Sequence, residues 1–123
     1  MLVRFYLFSI KTYITLNMTK TNKEITPFMD RCYKKLCKVP AGYVTTYGDL
    51  AKALQTSPRA VGRAMNRNPF APKIPCHRVV AADGSLCGYA GGLKKKTTLL
   101  RAEGVAVSQE KVLDLNRIRW TDF

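Results

Sequence analysis

The sequence is poor in acid. Eight Asp and Glu residues stand against 21 Lys and Arg, a formal charge of +13, which excludes a neutral scaffold and points to a polyanion, either nucleic acid or an anionic membrane face. Long apolar runs are missing too. The most hydrophobic stretch, the first 17 residues, is interrupted by Arg4 and Lys11 and is too short to span a bilayer, so transmembrane anchoring is not expected, and of the two polyanions nucleic acid rather than membrane is the expected partner. With 123 residues the chain is short for two domains, and it shows no internal repeat or low-complexity tract. Histidine is nearly absent. The single His77 directly follows Cys76 and no C-x-x-C pair occurs, so the usual structural zinc spacings are not met and no metal or other cofactor is expected. The four cysteines, Cys32, Cys37, Cys76 and Cys87, read as reduced thiols of an intracellular protein, nuclear or cytoplasmic, rather than as two disulfides of a secreted one.

What is present is enough apolar side chain to fold. At 46% hydrophobic and 10% aromatic residues, the chain can bury a core and lacks the profile of a disordered tail. The positive charge is concentrated, since residues 57–101 hold nine Lys or Arg against one acid, Asp83. A field that local suggests a binding face. Residues 1–24 read as an N-terminal extension of unassigned role. Their apolar, acid-free start has some features of a targeting peptide but no small-residue cleavage site and few of the arginines of a mitochondrial presequence. Residues 25–104 read as the domain, and residues 105–123 as a C-terminal tail with an amphipathic stretch around Val112, Leu113, Leu115 and Ile118.

From residue 25 the pattern predicts short helices punctuated by turns. Thr26-Pro27 is a cap and first-turn signal, and Phe28, Met29, Cys32, Leu36 and Cys37 recur at helical spacing until Val39-Pro40. Cys32 and Cys37 therefore read as core thiols. Thr46 caps a second helix with Tyr47, Leu50, Ala51 and Leu54 as its apolar stripe. Ser57-Pro58 opens a third, closed by Asn68-Pro69. Two helices joined by so short a turn form a helix-turn-helix candidate. On the third helix Arg59, Arg63 and Arg67 recur every fourth residue, and Ala60, Gly62 and Ala64 leave little bulk between them, so the backbone can approach a grooved partner closely. Gly62 costs roughly 1 kcal/mol against alanine in a helix interior, which implies that something other than helix formation keeps it. Beyond lie a proline-rich loop, a small hairpin over residues 79–86 turning at Asp83-Gly84, a glycine loop, and a last helix over residues 93–103 ended by Gly104.

The chemistry sits in Pro75-Cys76-His77-Arg78. A cysteine attacks as thiolate, and its free pKa of about 8.5 must fall for reactivity near neutral pH. His77, Arg78, Lys73 and the arginine helix are expected to lower it, and the prolines to hold the sulfur in one place. Cys76 follows no amphipathic pattern. Cys87, near the hairpin end, reads as structural.

Five pieces in order, VTTYGDLA, PRAVGRAMNRNP, IPCHRVV, GYAGGL and LLRAEG, make the chain resemble, from about residue 26 to 104, the C-terminal DNA-binding and active-site domain of the methylated-DNA–protein-cysteine methyltransferases, which repair O6-alkylguanine. The resemblance implies a mainly α, winged-helix-like domain with a small β-hairpin and a helix-turn-helix that enters the minor groove of double-stranded DNA. It implies that Cys76 accepts the alkyl group irreversibly, with His77 as base through a bound water and Glu103 orienting the imidazole. Tyr47 would donate to the guanine ring nitrogen, and Asn68 would tie the turn to the active-site loop. Arg59 would fill the space left by the flipped base. Ala60, Gly62, Arg63, Arg67 and Arg78 would join Tyr47 and Arg59 at the DNA, with Arg78 also steadying the loop, and Tyr89, Ala90 and Gly91 would line the substrate pocket. The protein would act once, as a monomer.

Three departures stand out. The chain is too short to hold the N-terminal domain that members usually carry. Arg63 stands where some members have a small residue, and Ala90 replaces a serine hydroxyl. The main rival is the alkyltransferase-like class, which binds and flips alkylated guanine without repairing it and recruits nucleotide excision repair; those proteins resemble this chain in length but carry tryptophan or alanine in place of Cys76. A plain helix-turn-helix regulator would leave Tyr47, His77 and Glu103 unexplained.

Overall fold

The computed structural model describes residues 25–123; the targeting-peptide expectation for residues 1–24 lies outside the described residues. Helix α1 spans Pro27–Leu36 and starts as its sequence dictates: the Thr26 hydroxyl accepts the Met29 N–H at 3.1 Å and Pro27 occupies the first turn. Its buried residues, Met29, Cys32, Tyr33 and Leu36, fall on one stripe. Helix α2, Tyr47–Leu54, is capped by Thr46, and α3, Pro58–Asn66, by Ser57. Between them Gln55 adopts a left-handed φ of 57° that ends α2, producing the expected helix-turn-helix. The Tyr33 hydroxyl donates to the Ala64 carbonyl at 2.8 Å and so fastens α1 to α3. Leu50, Ala51, Leu54, Val61, Ala64 and Met65 join the α1 stripe in the first of two apolar clusters.

Strand β1, Thr45–Thr46, pairs in parallel with β2, Val79–Val80, in the register Thr45↔Val79 and Thr46↔Val80. Thus a short ladder holds the segment that leads into α2 against the segment that leaves the Cys76–Arg78 3-10 turn. Helix α4, Leu93–Ala102, follows Gly92 at φ 93° and gives way to Gly104 at φ 87°, both conformations that favour glycine. The domain is mainly helical, as expected.

The hairpin is displaced from its predicted place. The Asp83-Gly84 turn does form, with Gly84 N–H donating to Ala81 and Ala81 N–H to Ser85, each at 2.9 Å. Its arms then diverge: β2 pairs with β1, while Ser85 bridges Lys111 and the Leu86 N–H donates to Glu110 at 3.0 Å. The two-stranded hairpin lies instead in the tail, where β3, Val107–Ser108, pairs with β4, Lys111–Val112. Long-range partners took the arms of the predicted hairpin, and no local pattern reveals them.

Residues 105–123 pack on the domain. Val105, Val107, Val112 and Ile118 share a second apolar cluster with Val44, Val80, Leu86 and Leu100. A short helix α5, Leu115–Ile118, precedes an extended run in which Val44 N–H donates to Ile118 and Trp120 N–H to Val44. Arg119 then grips Asp49, in the first turn of α2, through two hydrogen bonds of 2.7 Å.

Candidate active site and nucleic-acid interface

Cys76 opens the 3-10 turn after Pro75 and is 4% exposed. The loop that carries it is fixed by Asn68, whose amide donates to the Ile74 carbonyl and whose side-chain oxygen accepts the Phe70 N–H, both at 2.9 Å. The Asn68 and Tyr89 side chains are also near enough to the sulfur to favour its charged form. The expected sign of the thiol shift is reversed. Burial pushes the Cys76 thiol above its usual range, and Asn68, the Lys96 charge and Tyr89 oppose it only in part. Arg78 and the α3 arginines, expected to lower it, are not among these influences. A base is therefore needed.

His77 is the candidate. It is 2% exposed, its Nε2 lies 3.1 Å from Glu103 Oε1 as a close contact outside hydrogen-bond geometry, and its Nδ1 is buried without a hydrogen-bond partner among the described residues. Burial holds its pKa below the ordinary histidine value, against the pull of Glu103, so the ring is neutral near pH 7 and free to take a proton. Glu103 itself remains a carboxylate: burial pushes it up, but the hydrogen bonds from Arg78 and the close contact with His77 outweigh that and hold it low. Arg78 Nε donates to Oε1 at 3.0 Å, Nη2 donates to Oε2, and Nη1 donates to the Val39 carbonyl at 2.8 Å. A guanidinium, a carboxylate and an imidazole thus form one chain of contacts, its imidazole on the residue that directly follows Cys76.

That geometry bears on one assignment. Arg78, placed at the DNA by the family resemblance, points inward onto Glu103 and Val39 with 13% of its side chain exposed, because Glu103 offers a planar partner for its fork. The loop-steadying part of its expected role fits this arrangement. Cys87, taken as structural, is exposed at a left-handed φ of 58°.

Tyr47 begins α2, half-buried against the first apolar cluster. Burial and the nearby Cys87 and Cys76 sulfurs push its hydroxyl up to about 12, so it stays protonated and able to donate. Tyr89, Ala90 and Gly91 form the loop across from Cys76. A Cβ on Gly91 would come within 2.9 Å of the Tyr89 ring and 3.1 Å of the Lys95 side chain, which ties the glycine to the placement of Tyr89.

One residue escaped the sequence reading altogether. Lys96 is fully buried, and its Nζ donates to the carbonyls of Val79 at 2.7 Å, Leu86, and Gly88 at 3.3 Å. It pins β2 to the loop that presents Tyr89. Burial lowers its pKa to about 8. Within Lys94-Lys95-Lys96 nothing marks it as different, except that it lies four residues before Leu100 on the buried side of α4.

On α3 the side chains of Arg59, Arg63 and Arg67 are exposed, Ala60 and Gly62 are half-buried, and Ala64 is buried. A Cβ on Gly62 would meet nothing within 4 Å. Among the described residues no packing requires glycine there.

The family described as 6-O-methylguanine DNA methyltransferase, DNA binding domain, matches residues 27–105. A methylated-DNA–protein-cysteine methyltransferase from Thermococcus kodakarensis is 57% identical over 82 residues, 66% of this chain and 47% of that protein. The chain spans about half the length of the curated relatives it matches. Among solved structures, Mycobacterium tuberculosis OGT in complex with DNA is 42% identical, with a TM-score of 0.61 over 63% of this chain and 50% of that one. S. pombe Atl1, in complex with damaged DNA containing O6-carboxymethylguanine, is 29% identical, with a TM-score of 0.69 over 80% of this chain and 98% of its own.

Proposed function

This chain belongs to the family of the 6-O-methylguanine DNA methyltransferase DNA-binding domain, and from that premise we propose that it repairs O6-alkylguanine in duplex DNA by taking the alkyl group onto Cys76. The observation that carries the reading is the His77 Nε2–Glu103 contact, with Glu103 held by Arg78, on the residue next to the buried Cys76; it suits a base and its orienter beside a nucleophile.

In the proposed reaction His77, through a bridging water, takes the Cys76 proton, and Glu103 stabilises the imidazolium that results. The sulfur attacks the alkyl carbon; the S–C bond forms as the C–O6 bond breaks. Tyr47 donates to the guanine ring nitrogen as charge develops there, so the base leaves neutral. The thioether is not hydrolysed, and the protein acts once. Reaching the target requires extruding the nucleotide, at a cost of a few kcal/mol. Arg59, exposed at the start of α3, fills the gap in the stack, with α3 in the minor groove. The chain works as a monomer inside the cell, in nucleus or cytoplasm; among the described residues no helix is long and apolar enough to cross a membrane.

The alkyltransferase-like alternative draws on one observation, the likeness to Atl1 over nearly all of that protein's length. Cys76 favours transfer. The discriminating experiment compares wild type with Cys76→Ala on duplex containing O6-methylguanine. The repair reading requires both to bind and only wild type to remove the methyl group; lesion binding without methyl loss in wild type would favour the alternative.

A further inference from the structure

A groove of about 200 Å3 runs between the start of α1 and one side of α3, its lining including Thr26, Phe28, Ala60, Arg63, Ala64 and Arg67. The four α3 positions follow the spacing of a single helical face. Their chemistry alternates: Ala60 and Ala64 keep the floor low, and Arg63 and Arg67 stand over it. Arg59 is not in this lining, so the groove is separate from the position assigned to the base stack.

Among the described residues no carboxylate answers these two cations. Neither Arg63 nor Arg67 has an ion pair among the described residues, and Asp30, the acid in the first turn of α1, is bound to Lys34 at 2.8 Å. Two guanidiniums on one wall of a concave site, facing a helix start and a phenyl ring, match an anion with several acceptor oxygens attached to an apolar body. A backbone phosphodiester with its deoxyribose is such a group, and the guanidinium fork suits its two free oxygens.

We infer that the groove between α1 and α3 seats one phosphate of the DNA backbone, clamped by Arg63 and Arg67. This rests on the reading of α3 as the DNA-facing helix and deepens it, because it fixes where one strand leaves the protein: across the start of α1, beside the inserted Arg59. It also gives the alanines a role within the molecule. Bulk at Ala60 or Ala64 would fill the floor on which the phosphate rests.

The test is the salt dependence of duplex binding by wild type and by the Arg63→Gln, Arg67→Gln double variant, with Arg117→Gln as a control on an exposed arginine far from α3 in sequence. Losing one clamped phosphate should make the slope of log K against log salt shallower by about 1. The affinity should fall roughly tenfold at low salt. A duplex series carrying one neutral methylphosphonate at successive positions locates the contact: one position should weaken wild type and leave the double variant unaffected. If slope and affinity are unchanged in the double variant, or no position shows that difference, the clamp is wrong although wild type binds duplex. If wild type itself fails to bind duplex, the functional reading falls and the clamp with it.

Discussion

Glu103 Oε1 lies 3.1 Å from His77 Nε2 and 3.0 Å from Arg78 Nε, so one carboxylate supports the imidazole and is itself held by the guanidinium. The arrangement links two neighbours in sequence, His77 and Arg78, to a residue at the far end of α4. It also separates their tasks. Arg78 keeps Glu103 ionised, and Glu103 raises the basicity that burial takes from His77.

Replacing Glu103 with Gln removes the charge and keeps the size. His77 becomes a weaker base, and the raised thiol of Cys76 needs higher pH to ionise. The rate of alkyl transfer against pH should therefore move to the alkaline side, with a loss of about 10²-fold or more near neutrality. An unshifted profile would remove Glu103 from the relay.

Acid should unfold the domain in two stages. His77 is held below its ordinary value by burial, so the unfolded chain takes up that proton first; stability is complete above the ordinary value of 6.5 and declines as pH falls below it. Glu103, held low by Arg78 and His77 against its burial, contributes stability above its ordinary value of 4.5 that is lost as pH falls through its folded value. Melting temperature should be level near neutrality and fall below about pH 6.5, more steeply under 4.5. Glu103→Gln should flatten the steeper limb; an identical acid limb in both proteins would contradict the assignment.

Gly62→Ala separates folding from binding. The added methyl meets nothing within 4 Å among the described residues and removes a helix penalty of about 1 kcal/mol, so the melting temperature should rise. Duplex affinity should fall, since the methyl stands on the helix proposed to face DNA. A variant both more stable and equally tight on duplex would show that α3 does not approach DNA at this point.

Lys96→Met leaves the carbonyls of Val79, Leu86 and Gly88 without their shared donor, costing about 2–4 kcal/mol of stability. It also frees the Tyr89 loop from β2. Transfer should slow severalfold in conditions where the variant is fully folded, with duplex affinity preserved. Wild-type transfer kinetics would limit Lys96 to a structural part.

The helices were legible because their signals are local. Thr26-Pro27, Thr46 and Ser57-Pro58 each place a side-chain oxygen on an amide three residues ahead, and a cap needs no distant partner. The tail hairpin was hidden for the converse reason: Gln109 and Glu110 take left-handed φ values of 52° and 59° without the Asn or Gly that normally announces such a turn. Composition suggested a reactive thiol at Cys76, but only the family resemblance connected it to Tyr47 and Glu103, which lie far away in sequence. The direction of the Cys76 shift, the inward turn of Arg78 and the burial of Lys96 all depend on which charges lose water. Sequence spacing carries no record of that.

Incubation with an oligonucleotide containing O6-methylguanine, followed by peptide mass analysis, tests the central claim most directly. The peptide containing Cys76 should gain one methyl in place of the thiol hydrogen, in proportion to the lesion consumed, with no second turnover. An unmodified Cys76 peptide after the protein has bound the lesion would contradict the account.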